Sequence, residues 1–441
     1  MKKITIILTC YLLPFTSFAQ WSAIGSGSVG YPIYDFQEWN GKLYITLDMW
    51  GYNYGGICSY DGTNIDSLGS GFDNNGSPFS LAVYNNELFA GGGQSLGPPP
   101  QIPCSFNIAK WNDTSWSCVG AGGPNDIWEI NAMAVYNGEL YVGGKFQNMG
   151  GVNAASIARW DGTQWKNVGT GFPNNEDVYC MTVYKGELYV GGMLGLPGGP
   201  NNYYNLVRWN GTKWDSTGGK IGGQVSSLVV DSINDVLYMG GGITDVAGIP
   251  CWSVAKWDGI NLSAPGMGIT NGANGMAMYQ NKLVVGGFWT TGSNTDTILA
   301  TWDGTYWCAI IPGPNSTVKS MEVYNGELYI GGYFDTVATI PARHIVKWSG
   351  NLCPNSGVNE ITGQIKFKVF PNPAKNNITI ETEENKNFIA RITNPLGQKV
   401  AEKKFEKRIE VDVSGFGKGL FLVEVTTSEG RCCNVQKVVI Q

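Results

Sequence analysis

The chain holds a single histidine, His344, and that removes several chemistries at once. A copper or zinc centre built on paired imidazoles has no second ring to use. A Ser-His-Asp triad would have to rest on His344, and no Gly-x-Ser-x-Gly elbow precedes it. His344 therefore reads as an ordinary loop or strand residue. Calcium loops of the EF-hand type are missing, and Asp73-Asn74-Asn75-Gly76 reads as a turn. No metal ligand, cofactor or catalytic residue is assigned. What remains is carboxylates and aromatic rings. Glu176 or Asp177 with Glu129 could supply the two acids of glycoside hydrolysis, but sequence does not give their separation. Trp50, Tyr52, Tyr54, Trp128, Tyr203, Tyr204, Trp252 and Trp289 fall in irregular connections, together with Asp126, Glu129, Asp177 and Arg343. Exposed rings with Asn, Asp and Arg nearby suit stacking on sugars and hydrogen bonding to hydroxyls. For each single ring, packing in a core competes with that role. The expected function is binding of a polymer, a glycan fitting best. A carbohydrate-active hydrolase or lyase and a structural adhesion component are the alternatives.

The elements that position these residues are repeats. Residues 130 to 172 read INAMAVYNGELYVGGKFQNMGGVNAASIARWDGTQWKNVGTGF. Two alternating runs flank Asn137-Gly138, a strong hairpin signal. A third run, SIARW, turns at Asp161-Gly162 into a fourth, QWKNVG. Such a four-stranded sheet cannot bury both faces alone and needs copies of itself. The second strand recurs at Leu43, Leu88, Leu140, Leu188, Leu237, Leu283 and Leu328, at intervals of 45 to 52 residues. Seven such units of four strands predict a seven-bladed β-propeller. The seventh unit lacks a fourth strand after Trp348, and its counterpart sits at Trp21-Ser22-Ala23-Ile24-Gly25. The first strand of the exported chain is therefore expected to close the last blade. The short turns between strands one and two, and three and four, share one face. The opposite face carries the connections that differ in every unit, where binding sites are usually placed.

Residues 1–19 have a basic start, an apolar run too short to span a bilayer, and Ser17-Phe18-Ala19. This is expected to be a secretory signal peptide, and no transmembrane segment is expected. All 16 Trp lie between Trp21 and Trp348. From Lys366 onward there are 13 Lys/Arg against 9 Asp/Glu, so the region before it is strongly acidic. No basic stripe for nucleic acid and no polybasic membrane patch is present. Ten cysteines include Cys10 in the leader. Export permits disulfides, and Cys104 and Cys118 are one candidate pair. Residues 20–350 are expected to be the propeller, 351–366 a linker, and 367–441 a small all-β domain of the β-sandwich, immunoglobulin-like type.

That last segment carries Phe370-Pro371-Asn372-Pro373, Gly397-Gln398 within Asn394 to Val400, Gly417 to Leu422, and terminal Lys437 to Gln441. In these residues it resembles the type A C-terminal sorting domain of the type IX secretion system of gliding and oral Bacteroidota. The resemblance implies export to the outer-membrane surface or the medium, with the secretion machinery as partner. It also implies removal of the domain by a sortase-like peptidase. Phe421 stands where that family usually has Tyr. The repeats LYVGG and IARWDG in turn resemble bacterial kelch-like and WD-like propellers. Thr46-Leu47 departs from the Gly pair in the first unit and Ile311 from the last-strand Gly in the sixth. This resemblance implies a fold and little chemistry.

Overall fold

The computed structural model describes residues 21–24, 30–48, 56–68, 77–93, 107–120, 127–172, 176–197, 204–266, 268–269, 272–287, 299–310, 312–350, 352, 367–382, 387–394, 399–427 and 434–441. The signal peptide, the linker apart from Leu352, and Trp50, Tyr52, Tyr54, Asp126, Tyr203 and Trp289 lie outside the described residues. The protein is all-β: among the described residues there are strands, turns and bends and no helix. It divides into two compact units, Met1–Cys353 and Pro354–Gln441.

The first unit is a series of antiparallel four-strand repeats. The third runs Ile127–Tyr136, Glu139–Phe146, Ile157–Trp160 and Trp165–Asn167, each strand paired to the next. The fourth runs Asp177–Tyr184, Glu187–Met193, Leu206–Trp209 and Trp214–Ser216. A single bridge, Glu129↔Gly93, joins the second and third repeats into one sheet. Hairpins turn where the sequence puts Asn-Gly: Asn137 has φ 50° and Gly138 φ 76°, the pair of left-handed residues that a twist-matched two-residue turn requires. The repeated Asp of the Trp-Asp-Gly turn is a backbone acceptor. Asp161 Oδ1 receives the N–H groups of Thr163 and Gln164, and Asn210, Asp258 and Asp303 act alike. In the four repeats whose second strand opens with Glu, that Glu pairs with a cation of the adjacent third strand, as in Arg159–Glu139 at 2.9 Å and Arg208–Glu187 at 3.0 Å. These charges belong to the scaffold.

The Gly-Gly pair of LYVGG has two separate steric causes. A Cβ on Gly143 would lie 2.5 Å from Val178 of the next sheet, so the first Gly admits the neighbour's opening apolar residue. A Cβ on Gly144 would lie 2.0 Å from the Glu129 carbonyl oxygen. That second Gly faces a β-bulge: Ile130 pairs with Gly144 and Ala132 with Gly143, leaving Asn131 as the extra residue. The same bulge leaves out Phe79, Tyr179, Ser226 and Lys319 in other repeats.

Between adjacent sheets the cores are apolar. Ala132, Tyr141 and Ile157 of the third pack with Val178, Leu188 and Val207 of the fourth. Where the fourth strand begins with Trp, in five of the seven repeats, that ring closes the outer edge of the interface. Trp116, Trp165, Trp214 and Trp307 each donate an indole N–H to a carbonyl of the preceding repeat: Leu68, Val119, Val168 and Pro265. Trp21 does the same to Pro312 at 3.0 Å. It belongs to the strand Trp21–Ala23, paired with Ile345–Trp348 in the register Trp21↔Trp348. The N-terminal strand thus completes the last sheet, as the missing fourth run predicts. Innermost strands meet their neighbours in a closed circuit, with Ile33–Trp39 touching both Ser77–Tyr84 and Val318–Tyr324. Tyrosines at the strand ends tie the circuit: Tyr136 donates to Gly186 O, Tyr184 to Asp235 O, and Tyr324 back to Gly41 O at 2.7 Å.

The second unit has one sheet of Phe367–Phe370, Asn377–Thr382 and Arg408–Asp412, and another of Lys399–Phe405, Phe388–Thr393, Gly419–Thr427 and Asn434–Ile440. Both contribute to one apolar cluster that includes Ile378, Phe388, Phe421 and Val438. Asn372 of the Pro-Asn-Pro run donates to Lys437 O and accepts from Val439 N–H. The two ends of the motif set are thereby held together.

Candidate functional site

The circuit of innermost strands encloses a cavity of about 500 Å³. Its lining comes from all seven repeats, and the bulge decides which residues contribute at one end. There the extra residues Phe79, Asn131, Tyr179, Ser226 and Lys319 are joined by Tyr34 and Asn274. Bulges commonly re-aim a side chain beside a site. Here they add one residue to the lining in five repeats and two in the first, at the end from which the variable connections emerge, and Asn274 takes the equivalent place in the sixth. That end is fixed by register, since Ile127 lies opposite Phe146 and both border such connections.

The first repeat departs furthest from the pattern and carries the strongest electrostatics. Without Gly-Gly, Thr46 faces two extra residues, Tyr34 and Asp35, between Ile33↔Leu47 and Phe36↔Ile45. Thr46 Oγ1 accepts the Asp35 N–H at 2.8 Å. The Asp35 carboxylate accepts N–H groups from Phe36 at 2.9 Å and Leu81 at 2.8 Å, and the Ser320 hydroxyl at 3.5 Å. It thus links the first, second and seventh repeats. Burial pushes its pKa up to about 7, although those donors pull the other way. Glu322 is raised to about 7 by burial first, then by the like charges of Asp35 and Glu38. Burial lowers the pKa of Lys319, whose Nζ lies 5.7 Å from the centre of the Tyr34 ring. The Tyr34 hydroxyl meets Tyr333 at 2.7 Å and donates to Asp48 at 3.0 Å, and burial holds its pKa well above the usual range.

Of the residues expected from sequence, three come together. Trp128 is 66% exposed, and Lys145 Nζ sits 5.4 Å from its ring centre. The same ammonium pairs with Asp177 at 3.6 Å, and Tyr179 donates to Asp177 at 3.4 Å. Glu129 is exposed beside Trp128. Glu176 is engaged elsewhere, accepting the Gly195 N–H at 2.8 Å. Tyr204 packs into the core between the third and fourth repeats, the outcome that competes with ligand stacking for every ring. Trp252 and Arg343 occupy equivalent corners of small hairpins in the fifth and seventh repeats, Trp252 being 48% exposed. His344 holds a scaffold position: its carbonyl accepts Gly332 N–H, as Ser156 and Asn205 do for Gly144 and Gly192. Cys118 is disulfide-bonded, as is Cys308, while Cys104 lies outside the described residues. No group of three or more His, Cys, Asp or Glu could hold a metal among the described residues.

Asp35, Lys145, Asn274, Lys319 and Glu322 were not legible as site residues. For Asn274 and Lys319 the signal is the residue opposite the Gly-Gly pair, one step out of the apolar alternation; Lys145 and Glu322 carry none. In the first repeat the signal is the loss of that pair.

Residues 368–441 match the family described as the secretion system C-terminal sorting domain. The chain therefore carries a type IX sorting domain at its C-terminus and is a secreted, surface-exposed protein. Among the described residues no helix is long and apolar enough to cross a membrane. No curated protein matches the chain. Two solved structures of the extracellular domain of BT4673 from B. thetaiotaomicron resemble it in fold. One, described as part of a hybrid two-component system, is 16% identical with a TM-score of 0.52, covering 83% of this chain and 46% of its own. The other, described as a one-component system, is 15% identical with a TM-score of 0.53, covering 94% and 53%. The chain thus spans about half the length of these structures. PorZ, a surface component of the type IX secretion system of Porphyromonas gingivalis, aligns at 15% identity and a TM-score of 0.46, over 94% of this chain and 60% of its own.

Proposed function

We propose that residues 20–350 form a seven-bladed β-propeller, kelch-like in its repeats, that binds a polymer, a glycan, through the face where the variable connections emerge. One observation carries this reading: a Trp128 ring left two-thirds exposed with Lys145, Asp177, Tyr179 and Glu129 around it. An aromatic face supplies apolar area at low conformational cost, and the ring of donors and acceptors suits hydroxyls. Trp252 and Arg343 are further contacts on the same face. Trp50, Tyr52, Tyr54, Tyr203 and Trp289 are proposed with them from sequence alone. The opposite face is made of repeated turns whose polar groups are already paired.

The test is a glycan array with the full exported chain, followed by calorimetry on any hit. Trp128→Ala should weaken binding at least about tenfold, the scale of a lost hot-spot aromatic, and leave the melting temperature in place. Silence across the array, or binding indifferent to Trp128, overturns the reading. The tail is proposed as an immunoglobulin-like sandwich that delivers the propeller to the secretion machinery, with 1–19 as signal peptide and 351–366 as linker. Deleting 367–441 should strand the protein in the periplasm, and normal surface display of the truncated chain would contradict that role.

A further inference from the structure

The cavity inside the circuit holds groups that neither the scaffold nor the exposed rim uses. Asn274 is only 8% exposed, lines the cavity, and its Nδ2 finds no acceptor among the described residues. A buried donor left unpaired is costly, and buried polar groups in folded proteins nearly always have a partner. Its counterpart Asn131 is already satisfied, donating to Val178 O at 3.3 Å. Asn274 is thus the exception at a repeated position. Its neighbour in the circuit is the strand Val318–Tyr324, which brings Glu322 to the same cavity. No cation or hydrogen-bond donor meets the Glu322 carboxylate among the described residues, and the charges nearest to it, Asp35 and Glu38, have its own sign. Lys319 stands on the same strand at the bulged end, over the Tyr34 ring, three residues and so about 10 Å along the strand from Glu322.

We propose that this cavity binds a primary amine of monosaccharide size, with its ammonium group at one end and a hydrogen-bond acceptor at the other, since Asn274 stands at the bulged end and Glu322 three residues farther along the neighbouring strand. The ammonium faces Glu322, in the negative field that Glu322 and Asp35 share. The acceptor takes the free N–H of Asn274. A volume of about 500 Å³ lies within the roughly 300–1,000 Å³ of small-molecule sites and admits a molecule the size of a monosaccharide. Lys319 at the mouth selects against a second ammonium at that end. This site is distinct from the Trp128 rim and does not depend on the rim binding anything.

The test is calorimetric titration of the full exported chain with D-glucosamine, using N-acetyl-D-glucosamine as the neutral control. The amine should bind and the acetylated sugar should not. Glu322→Gln keeps the shape and removes the charge, and should weaken amine binding at least about tenfold, as expected for losing a hydrogen bond to a charged group. Asn274→Ala should weaken it several-fold, and Trp128→Ala should leave it unchanged. Because Glu322→Gln relieves a buried unpaired charge, it should melt no lower than the parent, which separates lost binding from lost folding. Failure of D-glucosamine to bind at millimolar concentration overturns the proposal. So does equal binding of the acetylated sugar, or full retention of binding by Glu322→Gln.

Discussion

Each innermost strand of the first unit has two ends, and they are built on opposite rules. At the turn end most repeats agree: in five a Tyr hydroxyl reaches a carbonyl in the next hairpin, and in four a Glu meets an Arg or Lys from the third strand. At the bulged end five repeats share one backbone bulge and the side chains differ in every repeat. Tyr34, Phe79, Asn131, Tyr179, Ser226, Asn274 and Lys319 occupy corresponding places. The turn end holds neighbouring sheets together, so most copies make the same bond. The bulged end adds at least one residue of each repeat to a shared cavity, where its contribution to cohesion is small. Freed from that constraint, it can vary.

The comparison is tested most severely where cohesion is greatest. Trp21→Ala and Trp165→Ala remove equivalent indoles from the outer edge, and each should cost about 3–5 kcal/mol in denaturant unfolding. A neutral Trp21→Ala would mean that the last sheet is closed some other way than by pairing with Trp348. Next comes Gly144→Ala, whose Cβ would collide with the Glu129 carbonyl and flatten the bulge; a loss of about 1–3 kcal/mol is expected. Gly138→Ala at the turn end meets no atom and should cost less, through its φ of 76° alone. Tyr136→Phe should lose about 0.5–1.5 kcal/mol with its bond to Gly186 O. Ser226→Ala, at the bulged end, should stay within about 0.5 kcal/mol. If Ser226→Ala proved costlier than Tyr136→Phe, the contrast between the two ends would fail.

The acids of the cavity give a pH signature that the turn end lacks. Asp35 and Glu322 have pKa values of about 7 in the folded chain, against 3.8 and 4.5 as ordinary carboxyls. Between those limits the folded chain binds more protons than the unfolded one, so stability falls as pH rises and levels off above the folded values. The groups facing Glu322 from adjacent strands, Asp35 and Glu38, carry the same sign, while Lys319 on its own strand opposes the trend. A melting temperature some degrees lower at pH 8 than at pH 5 is expected, with a shallower slope in Glu322→Gln. A melting temperature that rises over this range would contradict the burial of both acids.

Much of the scaffold was legible because its causes are local. Alternation writes strands, Asn-Gly writes left-handed turns, and Asp161 caps its own turn within three residues. Even the placement of Trp21 followed by subtraction, since every other repeat supplies its own fourth strand. The site was read less well. Trp128, Glu129 and Asp177 were legible as polar and aromatic residues in irregular connections, but Lys145, which joins Trp128 to Asp177, sits inside a strand that reads as scaffold. Tyr204 shows the converse: a loop tyrosine by sequence that the core takes up.

The sequence by itself determined the repeat, the strand order, the tight turns and the tail that directs the chain to the surface, because each is set by short-range geometry or by a contiguous motif. Only the tertiary structure decided that Asp35 is buried at the seam between the first, second and seventh repeats, and that Asn274 and Glu322 line one cavity. These residues lie up to 287 positions apart, and what brings them together is the packing of seven four-strand repeats whose inner strands line a common interior. No local pattern encodes that meeting, since a bulge residue looks in sequence like any other break in alternation.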